Sequence, residues 1–182
     1  MNVKKIGHFN IRVYGLFIRE TDIPGAMQKK PENQPVPERN INLITGRNDN
    51  RQILLSDEYV LDQKMTKFPG GGLKFGEGTI DCLKREALEE FRQEIEIVEH
   101  FYTTHFFQQA FFYENHQLIS IYYLARFPEE PSFRISLKPF DFSNMENGSQ
   151  SFRWAHLHSL TSTDLTFPID QYVLGLLQGK HP

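Results

Sequence analysis

The chain has 182 residues, enough for one domain and short for two. Its 20 Lys and Arg against 23 Asp and Glu leave a formal net charge of −3, which argues against a nucleic-acid coat or a polybasic membrane binder. One cysteine, Cys82, excludes an intrachain disulfide and fits a reducing compartment, so a cytoplasmic location is expected.

The hydrophobic fraction is 39%, low for a soluble domain, but sixteen Phe and seven Tyr supply large buried areas. A polar segment lying outside an aromatic-rich core is therefore expected. Residues 9–19, rich in Val, Ile, Tyr and Phe, read as a strand. The apolar run 13–18 within it is far too short for a membrane span, and no signal peptide precedes it. Four of the ten prolines fall in 20–50, among Glu, Asn, Gln and Lys, and this reads as a polar insertion with a mobile stretch at about 25–40. A short strand at 41–45, a turn at 48–50 and a strand at 52–56 follow. Residues 57–78 read as a loop that becomes dense in glycine: Gly70, Gly71, Gly72, Gly76 and Gly78 lie within nine residues. A helix at 79–92 comes next, with Thr79 as N-cap and Asp81 in the first turn. Strand material at 94–113, a polar turn at 114–116, a strand at 117–127, an irregular connection at 132–150 and a strand at 151–157 continue the pattern. Pro168 opens a last amphipathic helix with Ile169, Val173, Leu174, Leu176 and Leu177 inward. The order predicts one α/β (α+β) domain over 1–182, a mixed β-sheet flanked by the two helices.

At 100° per residue, Ile80, Leu83, Ala87, Leu88 and Phe91 share one face of the helix at 79–92. Glu86, Glu89 and Glu90 project from a patch largely on the other side. Like charges at i, i+3 and i+4 destabilise a helix; Arg85 can reach Glu89 and offset part of this. A solvated acidic face is the ordinary explanation of such a trio. Clustered hard oxygen donors also suit Mg²⁺ or Mn²⁺, and no Cys/His cluster offers a zinc site. The glycine loop running directly into the helix favours a ligand site, because glycine lets backbone approach a ligand closely.

Gly71, five residues, Glu77, seven residues, then Arg85-Glu86-Ala87-x-Glu89-Glu90 match the G-x5-E-x7-R-E-U-x-E-E portion of the Nudix box. The chain resembles a Nudix hydrolase over about 9–19 and 51–178, although only the box is specific. The resemblance implies an α/β/α sandwich and cleavage of a diphosphate linkage in a nucleoside diphosphate joined to another group. It implies divalent cations, usually Mg²⁺, with Mn²⁺ as the alternative. Carried over, Glu86, Glu89 and Glu90 would hold metal with the Gly71 carbonyl. Glu77 and Arg85 would brace loop against helix, and Glu89 or Glu90 would accept the proton of the attacking water. A carboxylate outside the box often completes such a site; Glu146, eight residues before Trp154, is the first candidate, with Glu129 and Glu130 competing. ADP-ribose or another nucleotide sugar leads as substrate, ahead of nucleoside triphosphates and dinucleoside polyphosphates. A non-catalytic ligand-binding module of the same fold is the alternative. The small-molecule nucleotide is the expected partner; no membrane or nucleic-acid polymer is, and a homodimer stays open.

The family's final box glycine is Arg92 here, followed by Gln93. Either the helix end costs on the order of 1 kcal/mol or the helix runs on. Cys82 reads as a small packing residue. His156 and His158 read as local packing or surface, and Asp170 as a surface residue in a helix first turn. Lys67 and Lys74, flanking the glycine loop, either meet phosphates or solvate it. Phe101, Tyr102, Phe106, Phe107, Phe111, Phe112, Tyr122 and Tyr123 read mostly as core, with one or two free to stack on a base.

Overall fold

The computed structural model of the protein describes residues 7–21 and 50–180. Residues 22–49 of the proposed insertion, with its 25–40 stretch and the 41–45 strand, lie outside these residues. Strand β1 is His8–Glu20, β2 Arg51–Val60, β3 Gln63–Lys67 and β4 Gly70–Gly72. Helix α1 (Thr79–Phe91) leads to β5 (Glu96–Thr103), β6 (His116–Arg126) and β7 (Ser149–His156), and helix α2 (Pro168–Leu177) closes the described chain. The strands form one mixed sheet in the order β3-β2-β1-β6-β5, with β4 paired to β1 and β7 to β2. β1 runs parallel to β6 along ten residue pairs, from His8↔His116 to Phe17↔Ala125.

Alternation along β1 assigns the two layers. Val13 and Phe17 pack with Cys82, Leu83, Ala87 and Phe91 of α1. Tyr14 and Leu16 face the other way, into a cluster with Ile169, Val173, Leu174 and Leu177 of α2. The expected sandwich is therefore observed. The inward faces differ in detail. On α1, Ile80 and Leu88 are exposed and Cys82 is fully buried, so the apolar stripe is rotated toward Cys82. On α2, Leu176 is only half-buried and Asp170 is fully buried.

The 57–78 stretch expected to be loop holds the end of β2 and the whole of β3 and β4. β2 extends to Val60 and turns back through Leu61 and Asp62, both left-handed at φ 51 and 61, into β3. Neither residue is glycine, so the turn lacks its usual signature. It is held by others: the Leu61 amide donates to Asn147 Oδ1 at 2.8 Å and the Tyr59 hydroxyl to Asp62 Oδ1 at 3.0 Å. Conversely, strand β5 stops at Thr103, and 104–115 is an irregular loop joined to the sheet by a Gln109↔Gln117 bridge.

Thr79 does not cap α1. Gly78 occupies the cap position without a side-chain bond, and the Thr79 hydroxyl lies 2.7 Å from Tyr123 Oη. At the other end the helix stops at Phe91 and Arg92 takes the left-handed cap conformation, φ 54 and ψ 31, with its amide on the Leu88 carbonyl at 3.1 Å. Arginine thus adopts what glycine adopts without strain. Arg92→Gly is expected to stabilise the fold by about 1 kcal/mol and raise the melting temperature by about 2–4 °C. An unchanged or lowered melting temperature would refute the strained cap.

Candidate functional site

The site is built where β1 changes partner. Near its C-terminal end β1 pairs with β2 at Ile18↔Ile53, and further back it pairs with β4, Val13 facing Gly71 and Tyr14 facing Gly70. Between these pairings the strands part, and β4 lies between β1 and α1. Gly70 has φ +131, and a Cβ there would stand 2.2 Å from the Val13 carbonyl oxygen. Gly71 lies under Glu86, whose carboxylate would be 2.3 Å from a Cβ. The dense glycines thus let the loop pass between a strand backbone and a carboxylate of α1.

Arg85 ties loop to helix. Its Nε and Nη2 fork onto the two oxygens of Glu77, Nη2 also donates to the Gly72 carbonyl at 3.0 Å, and the Lys74 amide adds a bond to Glu77 at 2.9 Å. These bonds, Arg85 first, pull the Glu77 carboxyl down to about 2, and the same pairing raises Arg85 above its ordinary value. Nη1 of Arg85 reaches Glu86 Oε1 at 2.7 Å and Glu89 Oε2 at 2.9 Å, the i, i+4 contact expected from the helix. The brace and two of the helix acids, Glu86 and Glu89, are therefore one connected network.

Glu90 faces inward. Gln150 Nε2 donates to its Oε1 at 2.9 Å, and the Lys67 ammonium is 3.8 Å away. Its Oε2 is buried without a hydrogen-bond partner. Burial, opposed by Lys67 and Gln150, pushes the Glu90 carboxyl up to about 6. A fourth carboxylate, Glu58 of β2, sits beside it: Gln150 Nε2 also donates to Glu58 Oε1 at 3.2 Å, and Lys67 Nζ lies 2.9 Å from the same atom. Burial alone would lower Lys67; Glu90 and then Glu58 outweigh it, and the amine stays raised and charged.

Glu146 is placed elsewhere. It is exposed in the turn before β7, its amide on Ser149 Oγ, and no hydrogen bond or ion pair joins its carboxylate to α1 among the described residues. The residue from this segment that reaches Glu90 is Gln150, because β7 has already begun and its pairing with Glu58 of β2 directs it there. The backbone carbonyls of Glu129 and Glu130 accept from Gln93, and no hydrogen bond or ion pair joins either carboxylate to α1 among the described residues. Glu58 escaped the sequence because it fell in a segment read as loop. As a strand residue it shares a face with Leu54, which packs on α1.

Cys82 is buried against the Gly72 carbonyl, and burial raises its thiol to about 11, so it is not a nucleophile. His156 and His158 are exposed. Lys74 makes an exposed pair with Glu89 at 3.4 Å. Beyond Lys67 and Glu58, on the far side of the parted strands, opens a cavity of about 300 Å³. Arg12 and Tyr14 form its floor, and Phe111, Phe112 and Tyr113 of the 104–115 loop form its rim. Arg12 Nε donates to Tyr14 Oη at 2.8 Å, and its other nitrogens have no partner among the described residues. Phe111 and Tyr113 are exposed rather than core, so they have free faces for a ring ligand.

No three of the His, Cys, Asp and Glu side chains described are already gathered about one metal point. Glu86 and Glu89 are turned onto Arg85. The donors nonetheless suit a hard cation: they are all oxygens, they sit on long side chains, and Glu90 Oε2 is buried with nothing to bind.

The NUDIX domain family model matches residues 37–174, most of the chain, and the protein belongs to the Nudix family. It is a Nudix pyrophosphohydrolase, of a family that acts on small nucleotides with divalent metal. No curated protein matches it by sequence. Among solved structures it resembles the E. coli ORF135 protein, with TM-score 0.55 and 16% identity over 95% of this chain and 91% of that one. A MutT Nudix hydrolase from Burkholderia pseudomallei gives TM-score 0.56 and 14% identity over 92% and 96%. A UDP-X diphosphatase gives 0.51 and 10% over 100% and 67%. At these identities the likeness is one of fold. Among the described residues no helix is long and apolar enough to cross a membrane.

Proposed function

We propose that the protein hydrolyses the diphosphate linkage of a nucleoside diphosphate derivative, with Mg²⁺ bound by Glu86, Glu89 and Glu90 and the glycine loop at Gly71. The observation that carries this is the Arg85 network, which connects Glu77, Glu86, Glu89 and the loop carbonyl of Gly72 in one rigid unit beside the aromatic-rimmed cavity. When bound, the metal would neutralise phosphate charge and lower the pKa of the attacking water. The chain's own residues do the rest. Glu77 and Arg85 position the helix, Glu89 or Glu90 takes the water's proton, and the cavity holds the nucleoside end. A space of about 300 Å³ takes one ring system and leaves the group beyond the diphosphate outside. That arrangement favours a nucleotide sugar such as ADP-ribose, then a nucleoside triphosphate or dinucleoside polyphosphate.

The test is a panel of these compounds with Mg²⁺, with phosphate-containing products separated and counted. Turnover of at least one nucleoside diphosphate derivative, abolished by EDTA and restored by Mg²⁺, is expected. Turnover that survives EDTA would overturn the metal assignment. Saturable binding with no turnover of any compound would favour the non-catalytic reading.

A further inference from the structure

Lys67 ends β3 and is 3% exposed, an unusual place for an ammonium group. Three oxygens from three separate elements converge on it. The Gly70 carbonyl accepts at 2.6 Å, Glu58 Oε1 lies at 2.9 Å and Glu90 Oε1 at 3.8 Å. Gln150 Nε2 then ties the two carboxylates together from behind. An ammonium only donates, and here the Gly70 carbonyl accepts while the two carboxylates supply the opposing charge, so the surround suits it. The carbonyl is not free to turn away, because Gly70 is fixed at φ +131 against the backbone of Val13.

Two carboxylates and a backbone carbonyl are also the donor set of a hard divalent ion. An ammonium and a divalent cation repel strongly at the few ångströms such a cluster allows. One position therefore takes one or the other. Resting on the metal-dependent reading above, we propose that the Lys67 ammonium is a resident cation of the catalytic cluster: it takes the position beside the Gly70 carbonyl, Glu58 and Glu90 that would otherwise hold a divalent ion, and confines exchangeable metal to the side of Glu86, Glu89 and the second oxygen of Glu90. Lys67 is a positioning residue in this account. It pairs with Glu58 and Glu90 and fixes how many ions the cluster accepts, without touching the reacting phosphate.

The test counts ions. Purified wild type, Lys67→Met, Lys67→Arg and the double variant Lys67→Met/Glu58→Gln are titrated with Mn²⁺, read by calorimetry and by the electron paramagnetic resonance signal of free Mn²⁺. Lys67→Met is expected to bind one more Mn²⁺ per chain than wild type. Lys67→Arg, which keeps the charge, is expected to bind the wild-type number, and the double variant to fall back to it. The same number and affinity in Lys67→Met and wild type would overturn the proposal. Should Lys67→Met unfold in metal-free buffer, the unpaired carboxylates predict rescue: Mn²⁺ raises its melting temperature by more than it raises that of wild type. An equal or smaller rise again overturns the proposal. Failure of the functional reading is a different result, a wild type that binds no Mn²⁺ at all; the difference between the proteins is still read.

Discussion

Gly70→Ala is expected to yield little folded protein, with the stability of whatever folds, read by urea denaturation, lowered by roughly 3 kcal/mol or more. The new Cβ would stand 2.2 Å from the Val13 carbonyl oxygen and 2.9 Å from the Tyr14 Cα, both backbone atoms of the central strand β1. A side chain can rotate out of a clash; a paired strand backbone cannot. The positive φ adds strain of its own, on the order of 1–3 kcal/mol for any residue with a Cβ. Against a total stability of about 5–15 kcal/mol this is a large loss.

The next two glycines are expected to behave differently, which makes the series informative. At Gly71 the nearest atoms are the carboxylate of Glu86, the flexible end of a long side chain. Gly71→Ala is therefore expected to fold, at a cost of about 1 kcal/mol, while displacing Glu86 and depressing turnover far more than stability. At Gly72 nothing lies within 4 Å of the added carbon, and Gly72→Ala is expected to stay within about 0.5 kcal/mol of wild type. Urea denaturation and turnover, measured on all three, separate the roles. A Gly70→Ala midpoint equal to that of wild type would mean the loop does not pass against Val13 as described.

The loop and α1 were the legible part of the chain because their function is local. Arg85 reaches Glu86 and Glu89 by helical spacing, and it reaches Glu77 because a loop of fixed length returns to the helix N-terminus. Both depend on sequence separation alone. What was illegible depends on partners distant in the chain. The Leu61–Asp62 turn carries no glycine and is held by Asn147, 86 residues on. Glu58 joins the site through Gln150, 92 residues away, across a β2–β7 pairing that composition does not announce. Glu146 lies in the same segment, four residues before Gln150, and it is the register of β7 on β2 that brings Gln150 rather than Glu146 beside Glu58. Thr79 looked like a cap by residue type, yet its hydroxyl is used by Tyr123 of β6. Sidedness failed by small rotations for the same reason. Leu88 lies at the margin of the α1 stripe, and which margin is covered depends on what packs there, here Phe17 and Phe152 on the Cys82 to Phe91 side, whereas Ile80 projects from the middle of the stripe but stands in the first turn and is exposed.

Asp170 is the strongest such case, and it carries an expected pH dependence. A helix first turn suits a carboxylate, which made a surface role the natural expectation. Instead Asp170 is fully buried, with the Tyr122 hydroxyl donating to Oδ1 at 2.6 Å and Oδ2 without a partner. Tyr122 is itself buried and stacked on Tyr14, and its own pKa is raised well above the ordinary value, so it remains a donor at all physiological pH. Burial, opposed by the Tyr122 bond and by Lys67, pushes Asp170 from 3.8 to about 6. The folded protein therefore holds this proton more tightly than the unfolded chain. Its contribution is fully present below pH 4 and is lost as pH rises toward 6, where the carboxylate ionises in both states and the folded state must carry a buried charge. A shift of this size corresponds to roughly 2–3 kcal/mol. Asp170→Asn keeps an acceptor for Tyr122 and cannot ionise. The stability of the variant relative to wild type is expected to rise by that amount between pH 4 and pH 7 and to level off above. Urea denaturation at several pH values measures it, and variant and wild-type curves that run parallel over this window would show that Asp170 does not titrate as a buried acid. Phe167 and Ile169, just before Asp170 in the chain, line the cavity, so ionisation of Asp170 is expected to be felt at the cavity wall as pH rises. Affinity for a non-hydrolysed nucleotide analogue is then expected to fall more steeply above pH 6 in wild type than in Asp170→Asn.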